Sequence, residues 1–162
     1  MTYLGDRAPA HALLTKLREV VVASTAVGSL YGGSPTRIPP EATSWHQGIL
    51  GELQVATLLD QLPRDWLVLH SVPLGDGERD IDHLVVTPVG RVFSINTKHH
   101  ARSAIWAAQN VLMVNGHREP HIFRARDEAE KASFRLSRAV KARVIVEPFL
   151  VFVGERSITI KE

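Results

Sequence analysis

The stretch Asp80-Ile81-Asp82-His83-Leu84-Val85-Val86-Thr87-Pro88-Val89-Gly90-Arg91-Val92-Phe93-Ser94-Ile95-Asn96-Thr97-Lys98 constrains the chain more than any other. It reads as two apolar strands folded about a tight turn at Pro88 to Gly90, with polar residues where buried strands usually carry apolar ones. Strand residues two apart share a face, so Asn96 and Lys98 point the same way. Folding the pair about the turn brings Asp82 level with Asn96. A carboxylate, a second oxygen donor and an ammonium then converge, which is the set that a metal-dependent attack on a phosphate requires.

The rest of the chain has to supply a single core around this ribbon, because 162 residues make about one domain. There is no Cys, which fits a reducing compartment and excludes disulfides and thiolate zinc sites. The most apolar early run, Val20 to Leu30, is interrupted by Ser24, Thr25, Gly28 and Ser29 and is too short to span a bilayer. It also lacks the pattern of a secretory signal, so the expected location is cytoplasmic, with no membrane partner. Net charge is only +2, though eight His and a pI near 9.2 tilt the balance basic. The distribution of charge therefore says more about a polyanionic partner than its sum.

Leu13, Leu14, Leu17, Val20 and Val21 recur at helical spacing and predict a helix over 11–23 that docks on the core or on a partner. Residues 28–43 carry Gly32-Gly33, Pro35 and Pro39-Pro40 and read as a linker. Ser44 with Gln47 forms a capping-box pattern for a helix ending near Leu62, before Pro63. Its stripe is Val55, Leu58, Leu59 and Leu62, and Glu52 falls on or beside that core-facing side. A buried carboxylate needs a cation, a metal or several hydrogen bonds, so Glu52 is either a site residue or the partner of an arginine such as Arg79 or Arg102. Gly48 and Gly51 keep its helix turn free of bulk.

Trp66 to Val72 reads as a strand, Gly75 to Glu78 as a loop, and Ile105 to Val114 as one or two short strands broken by the turn dipeptide Asn115-Gly116. Arg124 to Lys141 reads as a long helix with an Ala125, Ala129, Ala132, Leu136 and Ala139 stripe. Asp127, Glu128 and Glu130 neutralise the first half of its basic face, including Lys131. Arg135, Arg138, Lys141 and Arg143 then follow without an acid among them, a row able to track a phosphate backbone. Val144 to Val153 is a strand placed at an edge or bulge by Pro148, and Ser157 to Ile160 starts another. Trp106 and Phe123 are assigned to the core rather than to base stacking. His83, His99 and His100 do not form a tri-histidine zinc site, since neighbours on a strand face opposite ways and only His100 shares the Lys98 face.

From about Trp45 to the C-terminus the chain resembles the nuclease-related domain, a branch of the PD-(D/E)XK nuclease superfamily. The resemblance rests on Gly51-Glu52 in a first helix, Ile81-Asp82-His83 before the apolar Leu84 to Val86, Pro88-x-Gly90 at the turn and x-Thr97-Lys98 closing the second strand. It implies an α/β fold with a restriction-endonuclease-like core, a central mixed β-sheet flanked by helices, occupying 44–162 behind an N-terminal helix and linker at 1–43. Members of such a family usually continue a little further, so the chain is expected to stop short of their usual end. The resemblance also implies that the Asp82 position binds metal, that Lys98 is the motif lysine and that Glu52 helps to bind or orient the site. The chain departs at Asn96, where the pattern has Glu or Asp.

Chemistry of this kind needs an activated water and neutralisation of charge growing on phosphate oxygens. Mg²⁺ or Mn²⁺ is the expected cofactor, with Asp82, the Asn96 side-chain oxygen, the Thr97 backbone carbonyl and Glu52 as ligands and Lys98 orienting water or stabilising charge. An amide at 96 brings no net charge, and at an effective dielectric of about 20 a unit charge lost beside a divalent ion costs on the order of several kcal/mol. Activity then leans on Glu52 for the missing charge. DNA is the expected partner, with RNA left open, contacted by Lys131, Arg135, Arg138, Lys141, Arg143 and His100. The alternative is a nucleic-acid-binding module of the same fold that does not cut. The Leu13 to Val21 helix offers a contact for pairing two subunits.

Overall fold

A computed structural model describes residues 4–30, 40–75 and 80–161. After a short 3-10 turn at Leu4–Asp6 come two helices, α1 (His11–Leu30) and α2 (Pro40–Leu59). Three strands follow, β1 (Leu67–Pro73), β2 (Asp80–Val86) and β3 (Val92–His99), and then a trio of shorter ones, β4 (Ala104–Ala108), β5 (Val111–Val114) and β6 (His117–Glu119). The chain continues through α3 (His121–Val140), β7 (Val146–Val153) and β8 (Ser157–Lys161). The strands form two four-stranded sheets, ordered β1-β2-β3-β7 and β6-β5-β4-β8. Both are mixed: β7 runs parallel to β3 and β8 parallel to β4, while every other pairing is antiparallel.

The two sheets share one ribbon. The β3 and β7 pair turns a corner together and emerges as the β4 and β8 pair, held through the bend by main-chain bonds from His100 N–H to Val153 O at 3.0 Å and from Arg156 N–H to Ser103 O at 2.8 Å. The segment β4-β5-β6-α3 is the crossover that lets β7 lie parallel to β3, since parallel neighbours need a long connection. Pro148 lies on β7, the edge strand of its sheet, where a missing donor costs little.

α3 covers one face of the first sheet. Its Ala129 and Ala132 close onto Ile81, Leu84, Val92 and Val146, alanines allowing the close approach. A second core of Ile105, Leu112 and Val114 fills the other sheet with Ile122 and Phe152. Leu69 and Val72 both join the α3 cluster although they are three apart, as do Ile81 and Leu84. Ser71, at φ +48° and buried, breaks the pleat of β1 at the one rung missing from the β1 and β2 ladder, between His70 with His83 and Val72 with Ile81. Strict alternation predicts otherwise, and the irregularity sits at the site.

Several expectations change in detail. α1 continues to Leu30, and α2 opens at Pro40, so Ser44 lies inside the helix and does not cap it. A proline is readily accommodated in a first turn because its absent N–H has no partner there anyway. The buried face of α2 is Ile49, Glu52, Val55 and Ala56, whereas Leu58 is exposed. Asn115 and Gly116, both at positive φ, make the two-residue turn into β6, a strand too short to read from sequence. Phe123 is 73% exposed and is not a core residue. The segments 31–39 and 76–79, which carry most of the linker and loop readings, lie outside the described residues.

Candidate functional site

The turn Thr87 to Gly90 closes as the sequence suggests, with Gly90 N–H donating to Thr87 O at 2.9 Å and Gly90 at φ +82°. From it the β2 and β3 ladder runs from Val86 and Val92 to His83 and Ile95 and there stops. Both strands continue, but the next rung is made by a side chain: Asp82 Oδ2 accepts the Thr97 N–H at 2.6 Å. The two strands thus part where their shared ladder ends, while each keeps its other neighbour, and the carboxylate that replaces the rung is held in the gap.

Asn96 and Lys98 share a face, as their spacing requires. The Lys98 ammonium donates to Asn96 Oδ1 and, at 3.1 Å, to Thr97 O. The other end of the amide points at α3, where Asn96 Nδ2 donates to Glu128 Oε2 at 2.6 Å. Asn96 and Glu128 are each 7% exposed. The departure at Asn96 is therefore matched by a buried carboxylate arriving from a different element. Glu128 does not serve the solvated face of α3 that sequence spacing assigned it to; that part falls to Asp127, which pairs with Lys131 at 2.6 Å.

Glu52 reaches the same place from α2, and two glycines explain how. A Cβ on Gly51 would stand 3.3 Å from both His99 Cβ and Thr97 Cγ2, so its absence lets α2 lie against the end of β3. A Cβ on Gly48 would stand 2.8 Å from Leu13 Cδ1, so α1 is seated on that turn. Gly51→Val is expected to push α2 off β3 and lower stability by about 1–3 kcal/mol in urea unfolding, as overpacking does. An unchanged midpoint would show that this contact is slack.

Glu52, Asp80, Asp82, Asn96, Lys98 and Glu128 line one cavity of about 350 Å³. A second, of about 280 Å³, opens between α1 and α2 and shares Glu52, Asp82 and Lys98. Burial pushes the Glu52 carboxyl up to about 8, helped by the neighbouring Asp82 and opposed by a hydrogen bond from the Ala10 main chain and by Lys98. Burial likewise lifts Asp82 to about 6, against the pull of Lys98 and the Thr97 N–H. Burial is the larger cause for both, and the neighbouring acids add to it.

The histidines fall into two separate pairs. His83, fully buried, turns to the face opposite the α3 core, where its Nδ1 meets His70 Nδ1 at 2.8 Å. His100 Nε2 lies 3.2 Å from His121 Nε2, with Phe152 stacked on the His100 ring. Burial lowers all four from the usual imidazole value, His83 and His121 to about 4. Among the described residues, no three His, Asp or Glu side chains are clustered tightly enough to hold a metal ion as they stand.

Arg135, Arg138, Lys141 and Arg143 are exposed, but the row begins about 10 Å beyond Glu128 along the α3 axis. Arg135 is folded against Gly75, and Arg138 lies 5.6 Å over the Phe134 ring. Leu13, expected to be available for a second subunit, is used within the chain against Gly48.

Two contributors were missed from sequence. Glu128 carried a signal: with Ala125, Ala129 and Ala132 it keeps the spacing of the buried face, and a charge on that face is not a solvated one. The N-terminal segment carried only the apolar spacing of a docking helix, with nothing to say that it docks beside the site. Arg7 reaches Asp80 at 3.3 Å, and the His11 N–H donates to Ser71 Oγ at 3.0 Å, contacts between parts of the chain 73 and 60 residues apart.

No curated protein and no solved structure matches the chain at a significant level. No helix among the described residues is long and apolar enough to cross a membrane. The sequence pattern of the nuclease-related domain, NERD, matches residues 47–153, which span Glu52, Asp82, Asn96, Lys98 and Glu128. On that match and this α/β architecture, the chain belongs to the nuclease-related domain family.

Proposed function

We propose that the protein is a metal-dependent nuclease that hydrolyses phosphodiester bonds, with DNA as its substrate. One observation carries the reading: where the β2 and β3 ladder ends, Asp82, Glu52 and Glu128, carboxylates from three different elements, line a single cavity together with Lys98. The donors fit a hard divalent cation such as Mg²⁺ or Mn²⁺, being carboxylate, amide and carbonyl oxygens, and such ions keep several waters and need few protein ligands. Asn96 Oδ1 and Thr97 O already bind one cation, the Lys98 ammonium. Asp82 and Glu128 would hold the metal, with Asn96 Oδ1, Thr97 O and Glu52 completing or steadying the set. When bound, the metal would activate water and offset charge on the phosphate.

The protein's own groups do the rest. The Thr97 N–H fixes which way the Asp82 carboxylate faces. Asn96 ties Glu128 to Lys98, so one amide links the helix acid to the strand lysine. Once drawn off Asn96, Lys98 supplies a mobile positive charge for the phosphate oxygens or for orienting the attacking water. The reducing compartment implied by the absence of Cys supports a cytoplasmic setting.

A second reading, a module that binds nucleic acid without cutting it, is favoured by the Lys98 ammonium occupying the oxygens a metal would use. Supercoiled plasmid incubated in Mg²⁺, in Mn²⁺ and in chelator, beside Lys98→Ala, separates the two. Metal-dependent nicking that falls about 10²-fold or more in the variant is expected, the scale of losing one transition-state charge partner. Salt-sensitive retardation of DNA without any cleavage would replace the nuclease with the module.

A further inference from the structure

We infer that the N-terminal segment, which lies outside the residues matched by the family, forms a wall of the site, and that its Lys16, with Arg124 from α3, grips the backbone phosphate. The proposal rests on the nuclease or module reading of the cavity and adds to it the groups that hold the substrate.

The wall is built rather than incidental. Ser71 Oγ, buried at its positive-φ position, accepts from the His11 N–H and donates to Ala8 O at 3.3 Å. Arg7 binds Asp80, and Leu13 seats on Gly48. These contacts fix the first turns of α1 against three other elements. Ala12 and Lys16, one helical turn apart, then face the cavity. Arg124 and Glu128 are likewise one turn apart on α3, and both line it.

Charge gives the wall its use. The cavity carries the acids Asp80, Asp82 and Glu128 besides Glu52, so a polyanion approaching its ionised carboxylates meets repulsion that a metal alone offsets only in part. Lys98 is engaged by Asn96 and Thr97, and Arg7 by Asp80. Lys16 and Arg124 line the same cavity with no ion-pair partner among the described residues. A flexible ammonium on one side and a planar guanidinium on the other match the two ways proteins hold phosphate. The exposed row from Arg135 onward lies farther along α3 and would meet only flanking phosphates.

The test is equilibrium binding of a fluorescein-labelled DNA duplex in chelator, where no cutting competes, together with plasmid cleavage in Mn²⁺. Lys16→Met and Arg124→Met keep the stem and remove the charge; Arg18→Met removes an equal charge from an exposed position of α1 outside the cavity. Each cavity variant is expected to weaken binding about tenfold and to shrink the slope of log K against log salt by about 0.9, while Arg18→Met changes neither beyond twofold. In cleavage, KM rises with kcat largely kept, and Lys16→Arg restores binding. If Lys16→Met and Arg124→Met bind as Arg18→Met does, the grip is wrong and the nuclease reading is untouched. If the wild type binds but never cuts, the nuclease reading fails while the variants still decide the grip. If the wild type neither binds nor cuts, both fall.

Discussion

Glu128→Gln is expected to abolish metal-dependent stabilisation and to lower plasmid cleavage by about 10²-fold or more, while leaving the fold intact. The amide is nearly the same size and can still accept the Asn96 Nδ2 hydrogen bond, now 2.6 Å from Glu128 Oε2. Only the charge disappears, and it disappears from the position proposed to supply what Asn96 lacks. At an effective dielectric of about 20, a unit charge beside a divalent ion is worth several kcal/mol before desolvation is credited back, several decades of metal affinity. Melting temperature against Mn²⁺ concentration reads this directly, since a ligand that binds only the folded state raises it by mass action. A variant that still gains stability from Mn²⁺ as the wild type does would remove Glu128 from the metal set. The complementary change sharpens the result. Asn96→Asp alone places two carboxylates in hydrogen-bond contact and should destabilise the metal-free protein; combined with Glu128→Gln it returns one acid to the site and should recover much of the lost metal response.

This exchange of acids between elements explains how much of the site the sequence disclosed. Asp82, Asn96 and Lys98 were legible because strand alternation and a tight turn fix their relation locally, and the observed Asp82 to Thr97 and Lys98 to Asn96 bonds follow from it. Glu52 was legible as a buried carboxylate from its spacing along the core-facing side of α2, and the glycines that keep its turn free of bulk do meet close neighbours. Glu128 was obscured by its setting among Asp127, Glu130 and Lys131, where i,i+4 pairing is the ordinary explanation of a charge. The strand order was partly legible, but not the corner that carries β3 and β7 into β4 and β8, because main-chain bonds between distant segments leave no residue pattern. Nor could Ser71 be foreseen at positive φ, a conformation serine rarely adopts, yet that kink is what lets its hydroxyl anchor the N-terminal segment beside Asp82. The linker reading of the proline-rich run overran α2 for the opposite reason: a proline that breaks a helix interior is well placed at its first turn.

In chelator, stability is expected to fall as pH rises from about 5 to 9, and divalent metal is expected to reverse much of that fall. Glu52 is raised from an ordinary 4.5 to about 8, and Asp82 from 3.8 to about 6. Between each pair of values the folded chain holds a proton that the unfolded chain has released, so the slope of unfolding free energy with pH is negative. The contribution is complete below about 4, begins to go as pH passes the unfolded values, and is spent once Asp82 has ionised above 6 and Glu52 above 8. Together the two groups are worth on the order of several kcal/mol, a large part of the marginal stability of a domain this size. A bound cation takes the protons' place, so its affinity and the stabilisation it gives should both grow over the same interval. Glu52→Gln separates this from any general alkaline effect. Without a carboxyl to ionise, the variant should be more stable than the wild type at pH 8 in chelator, and less responsive to Mn²⁺. A wild-type melting temperature that stays flat from pH 5 to 9 in chelator would mean that the two acids are not buried as the cavity places them. A Glu52→Gln variant that gains stability in chelator yet keeps the full metal response would leave Glu52 as a crowded neighbour and assign the metal to Asp82 and Glu128 alone.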